Sequence, residues 1–289
     1  MKAEPTIVLE GYTYFECPRW HDGRIWVSDF YTGQVLSATE AGDDVRVEAE
    51  VPEQPSGLGW LPDGRLLVVS MRDRKVLRRE NDGSLVVHAD LSAHATGHAN
   101  DMHVDADGRA YVGNFGFDLM NLAPIETASL LRVEPDGSVH EDATDLHFPN
   151  GMAVTADGDL LVDETLGNRI SAFRIGADGV LGPRRDWAVL GPMPQSTDMA
   201  TGIGEVVVAP DGCALGPDGT LWAADALNQR IVQIREGEGV VDELTFDTGV
   251  FACGFGGSDG RTLFACAAPD FNEHARKEER EGRLLAVRF

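Results

Sequence analysis

The sequence predicts an all-β chain: a six-bladed β-propeller with four-stranded blades around a central channel, one domain spanning residues 1–289. Three observations predict it. Ten Asp-Gly pairs occur, at Asp22, Asp63, Asp82, Asp107, Asp136, Asp157, Asp178, Asp211, Asp218 and Asp259, where chance pairing would give about three, and Asp-Gly marks tight hairpin turns. Six of these pairs recur at 41, 44, 50, 61 and 41 residues, from Asp22 through Asp63, Asp107, Asp157 and Asp218 to Asp259. No segment holds a helical period over about 12 residues.

Each of those six pairs follows a short stretch rich in Gly and apolar residues, read as the innermost strand of a blade. Each precedes a run of β-branched, aromatic or other apolar residues, read as the second strand. In order these runs are Arg24-Ile25-Trp26-Val27, Arg65 to Val69, Arg109 to Val112, Asp159 to Val162, Thr220 to Ala223 and Arg261 to Phe264. Third strands follow at residues 34–36, 75–77, 129–133, 169–173, 230–234 and 283–287. Asp82, Asp136 and Asp178 then sit between third and fourth strands, so nine of the ten pairs are turns on one face of the disc. The chain ends in a third-type strand. An open ring would expose a sheet edge, so the run Thr6-Ile7-Val8-Leu9-Glu10 is expected to supply the outer strand of the sixth blade.

Composition narrows the function classes. The 31.2 kDa chain carries 24 basic and 48 acidic residues, a net charge of −24. Such a surface repels phosphate backbones and anionic headgroups, so neither nucleic acid nor membrane is expected as a partner. At 43% hydrophobic residues there is ample material for a core. No apolar run of about 18 residues suggests a transmembrane helix, and Met1 to Pro5 show no signal-peptide pattern. Four cysteines without Cys-x-x-Cys do not form a disulfide framework. A cytoplasmic monomer or homodimer is the expectation.

The tenth pair, Asp211-Gly212, lies seven residues before the turn at Asp218, at the start of an inner strand. The same register in the other repeats gives Ser56, Asn100, Asn150 and Ala252, and Glu16 at minus six in the shorter first blade. Inner strands line the channel, so Glu16, Asn100, Asn150 and Asp211 are expected to converge at the mouth opposite the turns. Polar residues at strand starts can also simply face channel water. Four large ones in one register, with small Ser56 and Ala252 completing the ring, favour a site. Two carboxylates and two carboxamides make a hard oxygen donor set that suits a divalent cation: calcium first, with zinc, manganese, magnesium or iron as alternatives. The longest irregular stretches, residues 115–128, 191–210 and 268–282, are placed on the same face as substrate walls or a lid.

With those residues in view, the chain resembles the regucalcin (senescence marker protein), gluconolactonase and luciferin-regenerating enzyme family over essentially its whole length. The motifs are Glu16-Cys17-Pro18-Arg19-Trp20, Asn100-Asp101 with Val104-Asp105 and Gly108-Arg109, Phe148-Pro149-Asn150-Gly151-Met152-Ala153, and Pro210-Asp211-Gly212. The resemblance implies a six-bladed propeller with one divalent metal at the channel mouth, held by Glu16, Asn150 and Asp211, and the opening of sugar lactones or related cyclic esters. It implies a substrate contact at Asn100. One departure stands out: relatives often carry Arg two residues before the third-blade Asn, and here that position is His98. This suits a lactone or ester other than an aldonolactone, with His98 as a hydrogen-bonding or proton-shuttling partner.

The expected chemistry is metal-assisted hydrolysis of a small-molecule lactone or ester. Asp211, or else Glu16, accepts a proton from the attacking water. Asn100, His98 and Asp101 contact the substrate, although Asp101 also reads as a second layer or as a solvated turn residue. Glu164 and Asp225, at the ends of second strands, are read as surface polar residues or, less favoured, as pocket lining. Cys17 and Cys213 are expected to be inert packing. Two rival functions remain: a metal-dependent esterase or phosphotriesterase of the paraoxonase-like kind, and a non-catalytic propeller platform, which predicts no ligand cluster at the mouth.

Overall fold

The computed structural model describes residues 4–289; Met1 to Ala3, part of the stretch searched for a targeting signal, lie outside it. Six four-stranded antiparallel sheets stand around one axis. From the axis outward, blade one is Phe15–His21, Arg24–Asp29, Gln34–Ala38 and Arg46–Glu50. Blade two is Pro55–Trp60, Leu66–Ser70, Lys75–Arg79 and Leu85–Asp90. Blade three is Ala99–Val104, Ala110–Asn114, Ala128–Val133 and Val139–Leu146. Blade four is Pro149–Val154, Asp159–Glu164, Arg169–Arg174 and Arg185–Val189. Blade five is Pro210–Leu215, Leu221–Asp225, Arg230–Arg235 and Gly239–Thr245. Blade six is Gly249–Gly256, Thr262–Ala268 and Gly282–Arg288, closed by the N-terminal strand Thr6–Tyr12. That closing pair runs antiparallel, Thr6 opposite Ala286 and Tyr12 opposite Gly282. The N-terminal strand therefore covers the edge that Gly282–Arg288 would otherwise expose, as expected from the sequence.

The second strands read as continuous apolar runs because they are covered on both faces by neighbouring blades. Leu66–Ser70 and Leu221–Asp225 are buried throughout. Outer strands such as Arg46–Glu50 face solvent and read as alternating or polar. The core accordingly lies between blades. Leu161, Ile170 and Trp187 of blade four pack on Leu221 and Val232 of blade five. Phe15, Ile25 and Leu36 of blade one meet Phe264 and Leu284 of blade six, so apolar packing seals the ring where the strands close it.

The nine turn pairs place their glycines at positive φ, from Gly23 to Gly260. At Asp63-Gly64 the Leu61 N–H reaches the Arg65 carbonyl at 2.9 Å, and the Gly64 N–H returns to the Leu61 carbonyl at 2.9 Å. Asp63 Oδ1 accepts the Arg65 N–H at 3.1 Å, which is the short-side-chain turn bond that favours Asp here. The chain also holds two short α-helices, Met199–Gly204 and Glu273–Glu279, and a 3₁₀ turn, Leu119–Asn121. All three fall in the long irregular stretches. They are too short to show a period, but the N-cap side chains of Asp198 and Asn272 mark the two α-helix starts. No described helix is long and apolar enough to cross a membrane.

Candidate metal centre

Every inner strand carries a bulge at its start. The pairing with the second strand slips between Glu16 and Arg19, Pro55 and Leu58, Ala99 and Met102, Pro149 and Met152, Pro210 and Cys213, and Val250 and Ala252. A bulge re-aims the side chain it contains. Here it turns one residue per blade toward the axis at the mouth opposite the Asp-Gly turns. Three blades announce this in sequence as Pro-x-Gly: Pro55-Ser56-Gly57, Pro149-Asn150-Gly151 and Pro210-Asp211-Gly212. Proline begins the strand without breaking a ladder bond. Glycine lets neighbouring inner strands touch: a Cβ on Gly151 would lie 2.3 Å from the Asp211 carbonyl oxygen.

The structure brings four of the expected residues together. Ser56 Oγ donates to Asn100 Oδ1 at 3.2 Å, and Asn100 Nδ2 donates to Asn150 Oδ1 at 2.8 Å. Asn150 Nδ2 donates to Asp211 Oδ1 at 2.5 Å and to Thr165 Oγ1 at 3.0 Å, and that hydroxyl donates to the Pro210 carbonyl at 2.8 Å. A relay of hydrogen bonds thus runs from blade two to blade five and ends on a carboxylate. Glu16 faces the same cavity from blade one, accepting the Cys17 N–H at 3.2 Å and the Tyr14 hydroxyl at 3.5 Å.

The sixth position differs from expectation. In blade six the regular pairing runs on to Ala252 opposite Cys266, so the bulge lies one residue further from the Asp259 turn and Phe251, not Ala252, faces the mouth. Ala252 instead packs against Gly212, whose Cβ would lie 2.4 Å from its own. The ring is therefore two acids, two amides, a serine buried behind them and one aromatic ring.

Asp101 takes the second-layer place among its readings, not that of a substrate contact. It neither lines the cavity nor sits in a solvated turn, being only 2% exposed. Its Oδ1 accepts the Arg19 guanidinium at 2.7 Å and its own neighbour's Met102 N–H at 2.7 Å, with the Cys17 thiol at 3.4 Å. Arg19 is thus spent on Asp101, one layer behind the mouth. Glu164 and Asp225 are fully buried and structural, neither surface polar residues nor pocket lining. Arg169 grips Glu164 through two bonds of 2.7 and 2.9 Å, and Arg230 holds Asp225 at 2.9 Å. Sequence reasoning missed Tyr14 and Thr165, which steady Glu16 and Asn150. It also missed Asp163, wholly buried, whose carboxylate has the Cys213 thiol beside it and no nitrogen or hydroxyl donor among the described residues.

Electrostatics follow from this division. Burial, then the charges of Asp211 and Asp101, push Glu16 well above the usual carboxylate range, while the Cys17 N–H and Arg19 pull it back. Burial and then Asp101 do the same to Asp211, with the Asn150 hydrogen bond opposing and Asp163 adding to the rise. His98 lies in the cavity wall, and burial lowers its pKa, so the imidazole is neutral at pH 7. Burial, then Asp101 for Cys17 and Asp163 for Cys213, pushes both thiols well above their usual range, as inert packing requires.

The donor set fits a divalent cation. Two buried carboxylates face one cavity without an ion-pair partner among the described residues, and buried charge without compensation is costly. Among the described residues no cluster of three or more His, Cys, Asp and Glu side chains surrounds a point, so a cation here would need amide oxygen beside the two acids. Asn150 Oδ1 accepts only one bond, from Asn100, and keeps a lone pair for a hard cation.

All three long stretches contribute to the wall above this cluster: Phe115, Leu119 and Met120 from the first, Met199 and Ile203 from the second, Phe271 from the third. The cavity holds about 880 Å³ out to its open mouth.

Fold and site define a six-bladed propeller with an acid-amide centre at one mouth of its channel. The model of the SMP-30/Gluconolactonase/LRE-like region matches residues 15–268, and the chain belongs to that family. Among solved structures it is similar to a luciferin-regenerating enzyme at 19% identity, covering 99% of this chain and 96% of that one, with a TM-score of 0.79. A gluconolactonase from Xanthomonas campestris shows 21% identity, coverage of 99% and 89%, and a TM-score of 0.74. The calcium-binding protein regucalcin from Agrobacterium tumefaciens shows 18% identity, coverage of 99% and 93%, and a TM-score of 0.77. No curated protein sequence matches the chain.

Proposed function

We propose that this protein is a divalent-cation-dependent hydrolase of lactones or related cyclic esters, with the cation held by Glu16, Asn150 and Asp211. One observation carries the reading: two buried carboxylates share the channel mouth with amide oxygens and have no ion-pair partner among the described residues. Membership of a family that includes gluconolactonases supports the reaction class. The ligand cluster counts against a bare interaction platform, and the charge of −24 keeps nucleic acid and anionic membranes out of the reading. The partner is a small-molecule substrate, taken by a cytoplasmic monomer or homodimer.

When bound, the cation would polarise the ester carbonyl and stabilise the developing negative charge. Asp211 takes the proton of the attacking water, with Glu16 as the less favoured base. The water oxygen bonds to the carbonyl carbon, the ring C–O bond breaks, and the proton passes on to the departing alkoxide, giving a hydroxy acid. Asn100 orients the carbonyl end. Neutral His98 donates or accepts one hydrogen bond at the side of the ring. Asp101, with Arg19, acts from behind by its negative charge on Glu16 and Asp211.

The test is a panel of δ-lactones, aryl esters and phosphotriesters. It is assayed on chelator-treated protein reloaded in turn with calcium, zinc, manganese, magnesium and iron(II), with cation binding followed by calorimetry. Lactone turnover that vanishes on chelation, returns with one cation, and is lost together with calorimetric binding in Glu16→Gln supports the assignment. Undiminished turnover after chelation overturns it.

A further inference from the structure

Above the acid-amide cluster the cavity is lined by rings and aliphatic chains. Phe251 lies 4.9 Å from Tyr14 and Phe148 lies 4.6 Å from Phe115, centroid to centroid, with Phe30 and Leu166 beside them. Among the described residues no lysine or arginine lines this cavity; Arg72 and Arg74 line the cleft that adjoins it past Gln54, His98 and Met120. Its polar side chains outside the cluster are mostly committed. Gln54 Oε1 accepts Arg72 at 2.9 Å, Tyr31 donates to the Phe271 carbonyl at 2.5 Å, and Thr165 donates to Pro210. Among the described residues, His98 is the wall's one polar side chain whose ring has no hydrogen bond within the protein.

The outer rim continues the apolar surface. Met120 is 44% exposed, Leu227 44% and Phe271 50%, and all three line this cavity. Apolar surface left in water at the lip of an apolar cavity is what a hydrophobic ligand covers.

The geometry points to a substrate class: an uncharged lactone bearing an apolar alkyl or aryl tail, its ester group at the acid-amide cluster and its tail between the Phe115–Phe148 and Tyr14–Phe251 pairs. This rests on the hydrolase reading above and narrows it. A polyhydroxylated sugar lactone would leave water with three or four hydroxyls and find, between the aromatic pairs of this cavity, little besides His98 and the Gln54 amide nitrogen to replace them, the arginines standing in the adjoining cleft. Unreplaced hydrogen bonds are strongly selected against in such a site. An alkyl tail gains with every methylene it buries.

The experiment uses the full chain reloaded with its activating cation. Racemic δ-lactones with tails from methyl to heptyl are compared with glucono-1,5-lactone, and binding of the matching, hydrolysis-resistant δ-lactams is measured by calorimetry. The expected kcat/KM rises about threefold to fourfold per methylene until the tail reaches the rim, and lactam affinity rises in parallel. Met120→Gln and Leu227→Gln, at exposed rim positions where folding is not at stake, should flatten that slope, chiefly through KM. Glucono-1,5-lactone turned over as well as the heptyl compound, or a flat series, overturns the substrate class and leaves hydrolysis standing. Tail-dependent lactam binding without turnover of any lactone upholds the apolar ligand and overturns hydrolysis. Absence of both overturns both.

Discussion

Asp63-Gly64 and Asp211-Gly212 are the same dipeptide on opposite faces of one disc, put to opposite uses. In the turn, Gly64 is needed for its φ of +85°, and nothing stands within 4 Å of where a Cβ would be. Gly212 lies within a strand and is needed for space, because Ala252 of the next blade occupies the Cβ position at 2.4 Å. Asp63 is exposed, and its carboxylate is held below its usual range by the Arg65 side chain and then the Arg65 N–H. Asp211 is buried and pushed well above that range by burial and by Asp101. A dipeptide is thus no motif by itself. Its place in the repeat decides whether it serves backbone geometry or ligand chemistry.

The sharpest way to break the contrast is at the acids. Asp211→Asn keeps the size and the Asn150 contact but removes the base and one charge. It should lower lactone kcat/KM by roughly 10²–10⁴-fold, whereas Asp63→Asn should leave kcat/KM within twofold. Equal losses in a side-by-side steady-state assay would show that the channel mouth is not the reacting centre.

The glycines come next. Gly212→Ala should cost about 1–3 kcal/mol in urea denaturation, since a methyl must push blade six away, and it should weaken cation binding by moving Asp211. Gly64→Ala should cost about 1 kcal/mol from its backbone conformation and leave cation affinity unchanged. Reversed ranks would mean that the inner strands yield more readily than the hairpin.

The smallest effect is in pH. Glu16 and Asp211 have raised pKa values in the folded chain. Their contribution is therefore present below the unfolded value of about 4 and is lost as pH rises through their folded values. The turn aspartates Asp63, Asp82, Asp136, Asp218 and Asp259 are lowered, so theirs is present above about pH 4 and lost as pH falls. In chelator-treated protein, the stability advantage of Asp211→Asn over the parent chain should widen between pH 5 and pH 8, and a saturating cation should reverse it. A gap independent of pH would show that Asp211 is not buried as a charged group.

The propeller was legible because its determinants are local. A turn needs its own glycine, and a twice-covered strand needs a continuous apolar run, so the Asp-Gly spacing revealed six blades, and the third-type strand at the chain's end called for the run Thr6 to Glu10 that closes the ring. Glu16, Asn100, Asn150 and Asp211 were legible for the same reason: register counted from a local turn carries along a strand. Counting failed at blade six, where the bulge lies one residue further from its turn and Phe251 takes the place expected of Ala252. It left Asp101 open between substrate contact, second layer and turn, which a contact with Arg19, 82 positions away, decides.

The ring, its closure and the depth at which polar groups would meet were therefore already written in the order of residues. Only the tertiary structure decided which of them face the cavity, which acids lack a cation, and that rings from blades and distant loops close into one apolar wall. Direction, burial and charge pairing belong to pairs of residues far apart in the chain, and no count along a strand contains them.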